Sequence, residues 1–294
     1  MPLKRNLVAE GCLLAGMIAT QAAHADGVIQ RLNNHFDAAL GMEHLSYHEI
    51  NPASGPVHKN TLPTGADLDG ETGTLFSPGL SLAFQRNLWF IHNVRAEASL
   101  HMAFGDATYN GHLQDQNGNI VAPLVARTGE TFTDLQLKIG KGICLLGSER
   151  DLLTPYAAYG LNEWHRKGAE DTPYGYSEQY RNRFWAAGLQ YQIALTSKLV
   201  LKADGSYGRT LSPRMNASNL FGTFELGATP LHNYELGLTY STSRSAYIGI
   251  DTYWMRYAYN ESPLVIDYTQ GIGAYEPGSK TNRYGITTVF GYSF

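Results

Sequence analysis

Two aspartates spaced two residues apart are the first candidates for chemistry. In the segment Asp67-Leu68-Asp69, two carboxylates could together activate a water molecule for hydrolysis. The nearest other pair of acids, Glu170-Asp171, has no histidine beside it. His165 is close in sequence, but Asp-x-His occurs nowhere in the chain. We keep Asp67 and Asp69 as catalytic candidates, but a solvated acidic loop is the simpler interpretation of this segment.

A second candidate site combines a hydroxyl, an imidazole and a carboxylate. Glu97, Ser99 and His101 alternate with apolar residues, so they share one face of an extended strand. A serine activated by a histidine, with a third polar group orienting the imidazole, is typical of hydrolases. Same-face neighbours on a strand lie roughly 7 Å apart, which is too far for a direct bond between Ser99 and His101 without help. His101 is the residue of this set that we retain as a candidate.

Metal-binding patterns are incomplete. The segments 67–71 and 115–119 carry the oxygen-rich turn residues that calcium favours, but neither completes a calcium loop. Turn formation by Asp, Asn and Gly explains both segments. The histidines show no ligand spacing, so we expect no metal and no cofactor.

The elements that position these residues are segments in which apolar and polar residues alternate. A membrane-spanning β-strand needs roughly 9–11 such residues. In the third segment, Val94, Ala96 and Ala98 alternate with Asn93 and Arg95. Ten segments have this pattern: His35–Tyr47, Ser77–Gln85, Trp89–Ala103, Thr131–Ile143, Leu153–His165, Asn182–Leu195, Leu199–Arg209, His232–Ser241, Ala246–Tyr257 and Asn282–Phe294.

The connections between these segments alternate between short and long. We therefore predict an all-β fold, an antiparallel up-and-down transmembrane β-barrel of ten strands with short periplasmic turns and long extracellular loops. Twelve strands is the alternative, because Gly111–Val125 could form a hairpin around the turn Asn117-Gly118. We interpret that hairpin as a protrusion of the sheet. The short connections are 86–88, 144–152, 196–198 and 242–245; the long ones are 48–76, 104–130, 166–181, 210–231 and 258–281.

The last segment, Asn282–Phe294, places Tyr284, Ile286, Phe290, Tyr292 and Phe294 on one face. It resembles the C-terminal strand of Gram-negative outer-membrane β-barrel proteins. The resemblance implies that Tyr292 and Phe294 form an assembly signal for the barrel-assembly machinery. It also implies an outer-membrane location, with lipid and lipopolysaccharide as surroundings.

In length and plan the chain resembles the omptins, ten-stranded outer-membrane proteases. The resemblance covers the plan of the whole chain, but not the Asp-x-Asp and Asp-x-His pairs that omptin chemistry requires. Lipid-modifying barrels offer another precedent, with a serine activated by a histidine on a lipid-facing surface. Ser99 and His101 are predicted to face inward instead.

The N-terminus supports export. Lys4 and Arg5 precede the apolar stretch Cys12–Ala19, and Ala23-His24-Ala25 fits a small-x-small cleavage site. We predict a secretory signal peptide at residues 1–25 and a single barrel domain at residues 26–294. Cys144 would then be the one remaining cysteine, without an intramolecular partner. The net charge of −4 gives no basic footprint for nucleic acid.

The inward faces of the predicted strands collect charge. Buried charges must be paired or solvated, so we expect a salt-bridged, plugged lumen rather than an open pore. Trp89, Trp164, Tyr180 and Trp254, near strand ends, suit interfacial aromatic girdles. The predicted lumen network has seven acidic and four basic members: Asp37, Glu43, Arg95, Glu97, Asp134, Lys138, Lys202, Asp204, Glu235, Asp251 and Arg283.

Function is less determined than architecture. The leading hypothesis is a non-enzymatic outer-membrane barrel whose extracellular loops serve envelope structure, adhesion or surface interaction, with an extracellular ligand bound through the loops. One alternative is a hydrolase with a site at the outer rim, either an omptin-like protease or a lipid-modifying enzyme. Another is a narrow channel for small solutes.

Overall fold

A computed structural model of the chain describes residues 27–51, 62–115, 119–146, 150–168, 176–217, 222–267 and 272–294. The predicted signal peptide, the Asn117-Gly118 turn and Glu170-Asp171 lie outside the described residues. Within them, no helix is long and apolar enough to cross a membrane.

Ten antiparallel strands form one closed barrel, as predicted. Each wall strand pairs with its neighbours in sequence order, and the first wall strand pairs with the last. Helix α1 spans Val28–Leu32. The wall strands are β1 (His35–Ile50), β2 (Asp67–Leu88), β3 (Ile91–Gln114), β4 (Ile120–Lys141), β5 (Asp151–Lys167), β6 (Ser177–Ala194), β7 (Leu199–Ala217), β9 (Pro230–Ser241), β10 (Ala246–Tyr259) and β13 (Gly278–Ser293).

Among the described residues, three short strands lie outside the barrel wall. Strand β8 (Gly222–Glu225) pairs with the outer end of β7. Strands β11 (Val265–Asp267) and β12 (Ile272–Ala274) form a separate hairpin between β10 and β13. The segment Gly111–Val125 belongs to the outer ends of β3 and β4, so it adds no wall strands and the twelve-strand alternative is wrong.

Several wall strands are longer at their outer ends than predicted. Strand β2 begins at Asp67 rather than Ser77, and β3 continues to Gln114 rather than ending at Ala103. In these extensions the outward side chains include the polar, exposed residues Thr72, Thr74 and Thr108. The apolar alternation that marked the strands therefore stops before the strands do.

The outer surface of the barrel carries an apolar belt. Its members are roughly 40–60% exposed, since no protein packs on them, and a lipid bilayer is the solvent that such a surface requires. The short turns define the end that faces the periplasm in barrels of this kind. Representative members of the belt are Phe36, Leu40, Met42, Leu80, Leu82, Leu135, Leu137, Ile139, Trp185, Leu189, Leu236, Ile250, Ile286 and Phe290.

Helix α1 closes the periplasmic end of the lumen. Ile29 is fully buried and packs in a cluster with Leu152, Val200 and Val289 from the barrel wall. The next residue after the helix, Asn33, donates hydrogen bonds to Gln85 and accepts one from Gln192. The sequence pattern had given no indication of this plug, because five residues are too few to show a helical period.

The girdle prediction is wrong for two aromatic residues. Trp164 and Tyr180 are fully buried in the lumen. The Trp164 ring stacks on Phe132 at 5.1 Å and on Tyr180 at 4.7 Å, and Tyr180 stacks on Tyr259 at 5.7 Å. These four rings, which we call the aromatic layer, fill the lumen. The prediction failed because nearness to a strand end does not determine which face a side chain occupies.

The β2–β3 turn lies two residues later than expected. Trp89 was predicted in the third strand, but it is in the turn, 95% exposed, with a positive φ of 52°. Strand β3 starts at Ile91. Trp89 and Phe90 therefore project from the periplasmic rim, where exposed aromatic side chains suit the membrane interface.

Candidate functional site

The lumen brings together the eleven charged residues named from the sequence. Above helix α1, Arg95 pairs with Glu97 at 2.5 Å, and Lys138 pairs with Asp204 at 3.1 Å. Lys138 also lies 3.7 Å from Glu97, which links the two pairs. These side chains are at most 15% exposed, so their charges are compensated inside the barrel rather than by bulk water.

Lys202 and three further acids complete this set of lumen side chains, which we call the charged layer. Lys202 contacts Glu235 and lies 3.3 Å from Asp251. Nearby, the Asp37 carboxylate accepts hydrogen bonds from Ser81 at 2.8 Å and, at 2.9 Å, from Tyr247 on the strand that also carries Asp251. The charged layer surrounds a cavity of about 220 Å³. A cavity of this size with polar walls can hold several water molecules.

Arg283 is the centre of the next layer. It is fully buried and binds Glu43 through Nε at 2.5 Å and through Nη2 at 3.1 Å. Its Nη1 donates to Asp134 at 2.8 Å. The guanidinium also lies 4.2 Å from the centre of the Phe132 ring. Arg283 thus links the charged layer to the aromatic layer above it.

His101 forms a relay with residues from neighbouring strands. Its Nε2 lies 2.7 Å from the Ser77 hydroxyl, and its Nδ1 lies 3.3 Å from Asp134. Tyr253 contacts both His101, at 3.2 Å, and Ser77, at 3.1 Å. The atom types and order match a nucleophilic relay. The serine is Ser77 of β2, not Ser99.

The relay lacks access for a substrate. Ser77 is fully buried, and its hydroxyl is already shared between His101 and Tyr253. An acyl substrate would have to displace these contacts deep inside a closed barrel. The arrangement is therefore best explained as a satisfied polar core. Sequence reasoning missed Ser77 because Gly79 is the direct partner of His101, and Ser77 lies diagonally across from it on the adjacent strand.

A second cluster lies at the outer end of the lumen, and the sequence analysis did not identify it. Its centre is Arg166, whose Nε donates to Glu71 at 2.7 Å and whose Nη1 donates to Glu178 at 2.6 Å. Glu49 lies 3.7 Å from the same guanidinium. All four side chains are less than 10% exposed. We call this set and the carboxylates below the outer acidic cluster.

Aromatic donors hold the other acids of this cluster. Tyr180 donates to Glu276 at 2.5 Å, Trp164 donates to Glu130 at 2.5 Å, and Tyr109 donates to Asp69 at 3.0 Å. Burial raises the pKa of Glu276 well above its ordinary range, and nearby Glu178 adds to the effect. Burial also raises the pKa of Asp69 to about 6, although Arg166 opposes this.

The six carboxylates of the outer acidic cluster exceed its one arginine. Glu71 Oε2 and Glu130 Oε1 are buried and have no hydrogen-bond partner among the described residues. Burial also raises the pKa of Glu49 and of Glu130 well above the ordinary value of a glutamate, and neighbouring carboxylates add to the effect. No group of three or more His, Cys, Asp or Glu in the described part of the chain is arranged to hold a metal ion.

The two aspartates that opened the sequence analysis do not form a pair. Asp67 is largely exposed and lies 3.3 Å from His48 on the outer surface. Asp69 turns into the outer acidic cluster and binds Tyr109. The strand register shifts between Glu49 and Ile50, opposite these two residues, so the regular alternation of faces does not apply there. A water molecule shared by the two carboxylates has no support in this geometry.

Comparison with known proteins supports the architecture. No protein-family model matches the chain, and no curated protein matches it. A similar solved structure is the outer membrane protease OmpT from Escherichia coli, with a TM-score of 0.57 and 12% identity over 89% of this chain and 97% of that chain. The translocator domain of the autotransporter NalP from Neisseria meningitidis matches 98% of this chain and 97% of that chain, with a TM-score of 0.38 and 12% identity.

The fold is that of an integral outer-membrane β-barrel with ten wall strands. The apolar belt, the closed hydrogen-bonded wall and the likeness to OmpT agree on this class. At 12% identity the likeness concerns the fold alone. A closed barrel of this kind is a multi-pass protein of the Gram-negative outer membrane.

Proposed function

We propose that the protein acts through its outer end, as a non-enzymatic outer-membrane barrel that presents an extracellular hairpin to a polypeptide partner. The observation that carries this proposal is the height of the β3–β4 hairpin. Strand β2 pairs with β3 only as far as Asn110, and β5 pairs with β4 only from Gly129. The hairpin therefore rises above its neighbours.

The raised hairpin has an exposed edge and apolar side chains. Residues 120–126 of β4 have no strand partner on the β5 side among the described residues. Val121 and Val125 are 61% and 67% exposed. An open strand edge offers backbone donors and acceptors to an extended polypeptide, and apolar side chains beside it add contact area. Pro123 removes one donor from this strand, which limits indiscriminate pairing between copies.

The filled lumen argues against transport of solutes and therefore favours the proposed surface interaction over a channel. Helix α1, the charged layer and the aromatic layer occupy successive levels of the barrel. A solute would have to disrupt paired charges and then the stacked rings of Trp164 and Tyr180. We expect no open-pore conductance in planar bilayers, and a stable unitary conductance would favour the channel hypothesis instead.

A shortened hairpin tests the proposal. Replacing residues 111–124 by Asn-Gly joins the paired residues Asn110 and Val125 through a two-residue turn and leaves the wall intact. Full-length and shortened chains would be expressed in a Gram-negative host that lacks its own surface adhesins. Cell–cell aggregation and attachment to protein-coated glass should increase with the full-length chain and return to background with the shortened one.

The control in this experiment is the barrel itself. Both chains should show the heat-dependent shift in gel mobility that marks a folded barrel. If the shortened chain promotes aggregation and attachment as well as the full-length chain does, the hairpin is not the interacting surface.

A further inference from the structure

Four neighbouring wall strands, β6, β7, β9 and β10, repeat one arrangement on the outer surface of the barrel. Each strand places an aromatic side chain on the lipid-facing surface and a basic side chain two residues further out on the same face. We call the four basic residues the outer basic band, and we propose that it binds the phosphate groups of lipopolysaccharide in the outer leaflet. The pairs, with the aromatic residue first, are Trp185 and Arg183, Tyr207 and Arg209, Tyr234 and His232, and Trp254 and Arg256.

Strand register places the members of the band beside one another. His232 is the direct partner of Tyr207 on β7 and of Arg256 on β10, and its ring lies 5.1 Å from the Tyr207 ring. Arg209 is two residues beyond Tyr207 on the same face, so Arg209 and Arg256 flank His232 from opposite sides. Arg183 continues the band onto β6, because its direct partner on β7 lies two residues beyond Arg209. Such direct and diagonal neighbours lie roughly 5–8 Å apart, so one headgroup with several phosphates can span them.

The side chains beside the three arginines do not neutralise them. The direct cross-strand neighbours of Arg183 are two leucines, those of Arg209 are a tryptophan and a proline, and those of Arg256 are a histidine and an asparagine. Glu163 is diagonal to Arg183, but it already accepts two hydrogen bonds from Arg181, each 3.1 Å long. Arginines without an acid beside them favour an anion from outside the protein.

Guanidinium groups also match the proposed ligand in shape. Their planar set of N–H donors pairs with two phosphate oxygens at once. Arg209 donates through Nη2 to the Ala228 carbonyl at 3.3 Å, and this contact uses one of the five N–H groups of the side chain.

The level of the band favours a membrane lipid over a soluble anion. Trp185, Tyr207 and Tyr234 are about half exposed, and exposed aromatic side chains at this level of a barrel lie at the membrane interface. A residue two positions further along a strand lies roughly 6–7 Å away, at the depth of the lipid headgroups. This end of the barrel is opposite the short turns, so the headgroups belong to the outer leaflet, which contains lipopolysaccharide.

The opposite side of the barrel lacks the arrangement. On β2 and β3, the rings of Phe76 and Phe104 pack on each other at 5.4 Å on the lipid-facing surface. The residues two positions further out are Thr74 and Asp106. A hydroxyl and a carboxylate do not give phosphate the charge-assisted contact that arginine gives. Lipopolysaccharide should therefore bind selectively on the side formed by β6, β7, β9 and β10.

Native mass spectrometry of the protein, purified from outer membranes and delipidated, provides the test. The probes are lipid A with two phosphates, the same lipid A with one phosphate, and phosphatidylglycerol. We expect lipid A with two phosphates to bind at least about tenfold more tightly than either of the others. The triple variant Arg183→Gln/Arg209→Gln/Arg256→Gln should lower its affinity by about tenfold or more, since three charge-assisted contacts are lost.

Arg127→Gln is the matched control, because Arg127 is an exposed arginine at the outer end of the opposite side, 3.6 Å from Asp106. It should leave the affinity for lipid A unchanged. Each variant should retain the heat-dependent shift in gel mobility of a folded barrel. The single variant Arg256→Gln should lower the affinity about threefold or more, and it replaces the triple variant if that variant does not fold.

Two outcomes would overturn the proposal. Equal losses of affinity in Arg127→Gln and in the variants of the band would mean general electrostatic attraction. Phosphatidylglycerol or lipid A with one phosphate binding as tightly as lipid A with two phosphates would mean that the band does not recognise the phosphates of lipopolysaccharide.

Discussion

Arg283 on the last strand and Glu43 on the first form a two-point salt bridge across the seam where the barrel closes. The contacts are 2.5 Å for Nε–Oε1 and 3.1 Å for Nη2–Oε2, and both side chains are fully buried. Strands β1 and β13 are 16 residues each and pair along their length. The salt bridge therefore reinforces on the inside a seam that backbone hydrogen bonds already close.

Breaking this salt bridge should destabilise the barrel strongly. Arg283→Met leaves Glu43 and Asp134 buried without their cation, and removing one member of a buried ion pair costs roughly 3–5 kcal/mol. Equilibrium unfolding in guanidinium chloride from lipid vesicles measures the change in the free energy of unfolding. Arg181→Met is the control, because Arg181 pairs with Glu163 on the exposed wall, where such pairs contribute roughly 0–1 kcal/mol. Equal losses in the two variants would contradict the buried role of Arg283.

The outer strand ends around the outer acidic cluster should resist unfolding better in mild acid than at neutral pH. Burial holds the folded-state pKa of Glu276 above its ordinary value of 4.5, so the folded protein retains a proton that the unfolded chain releases. The resulting contribution to the free energy of unfolding is fully present below about pH 4.5. It is lost as the pH rises through the folded-state pKa of Glu276. Asp69 acts in the same sense between its ordinary value of 3.8 and about 6.

Hydrogen exchange of peptides from the outer strand ends, corrected for intrinsic rates, should show more protection at pH 5 than at pH 8. The acids and the cation involved come from several strands: Glu49, Asp69, Glu71, Glu130, Arg166, Glu178 and Glu276. Glu276→Gln should reduce the pH dependence, because an amide does not titrate. Glu261→Gln, at an exposed loop position, should leave it unchanged. Greater protection at pH 8 would show that the assigned sign is wrong.

The assignment of strand faces is testable at Leu100. Leu100 lies beside Leu80 and Leu135 on the lipid-facing surface. Leu100→Arg places a charge near the middle of the bilayer and should cost roughly 2–4 kcal/mol in the free energy of unfolding. Thr108→Arg lies on the same face of β3 above the apolar belt and should cost roughly 0–1 kcal/mol. Similar effects at both positions would place the belt elsewhere.

The relay around His101 should be inert towards serine-directed reagents. We expect a fluorophosphonate probe not to label Ser77 in the folded protein, because the hydroxyl is buried and hydrogen-bonded to His101 and Tyr253. Mass spectrometry of tryptic peptides measures the labelling. A purified serine hydrolase mixed into the sample verifies that the probe is active. Labelling of Ser77 that disappears in His101→Gln would instead support the hydrolase alternative.

Part of the candidate site could be predicted from alternation alone. The residues of the charged layer, such as Glu97 and Lys138, share strand faces with other polar residues and lie in the lumen. The outer acidic cluster could not be predicted in this way. Glu71, Glu130 and Glu178 lie in the outer parts of β2, β4 and β6, outside the segments in which the sequence showed apolar–polar alternation. Their meeting at Arg166 depends on the register of strands that are far apart in sequence.

The sequence by itself determined the ten-stranded barrel and its apolar belt. This was possible because a strand that faces lipid on one side and a lumen on the other must alternate. Only the tertiary structure decided which side chains meet: Ser77 with His101, Trp164 with Phe132 and Tyr180, and Arg283 with Glu43. The physical reason is that facing is a local property of a strand, whereas contact across a closed lumen depends on strand register and barrel closure, which no single strand encodes.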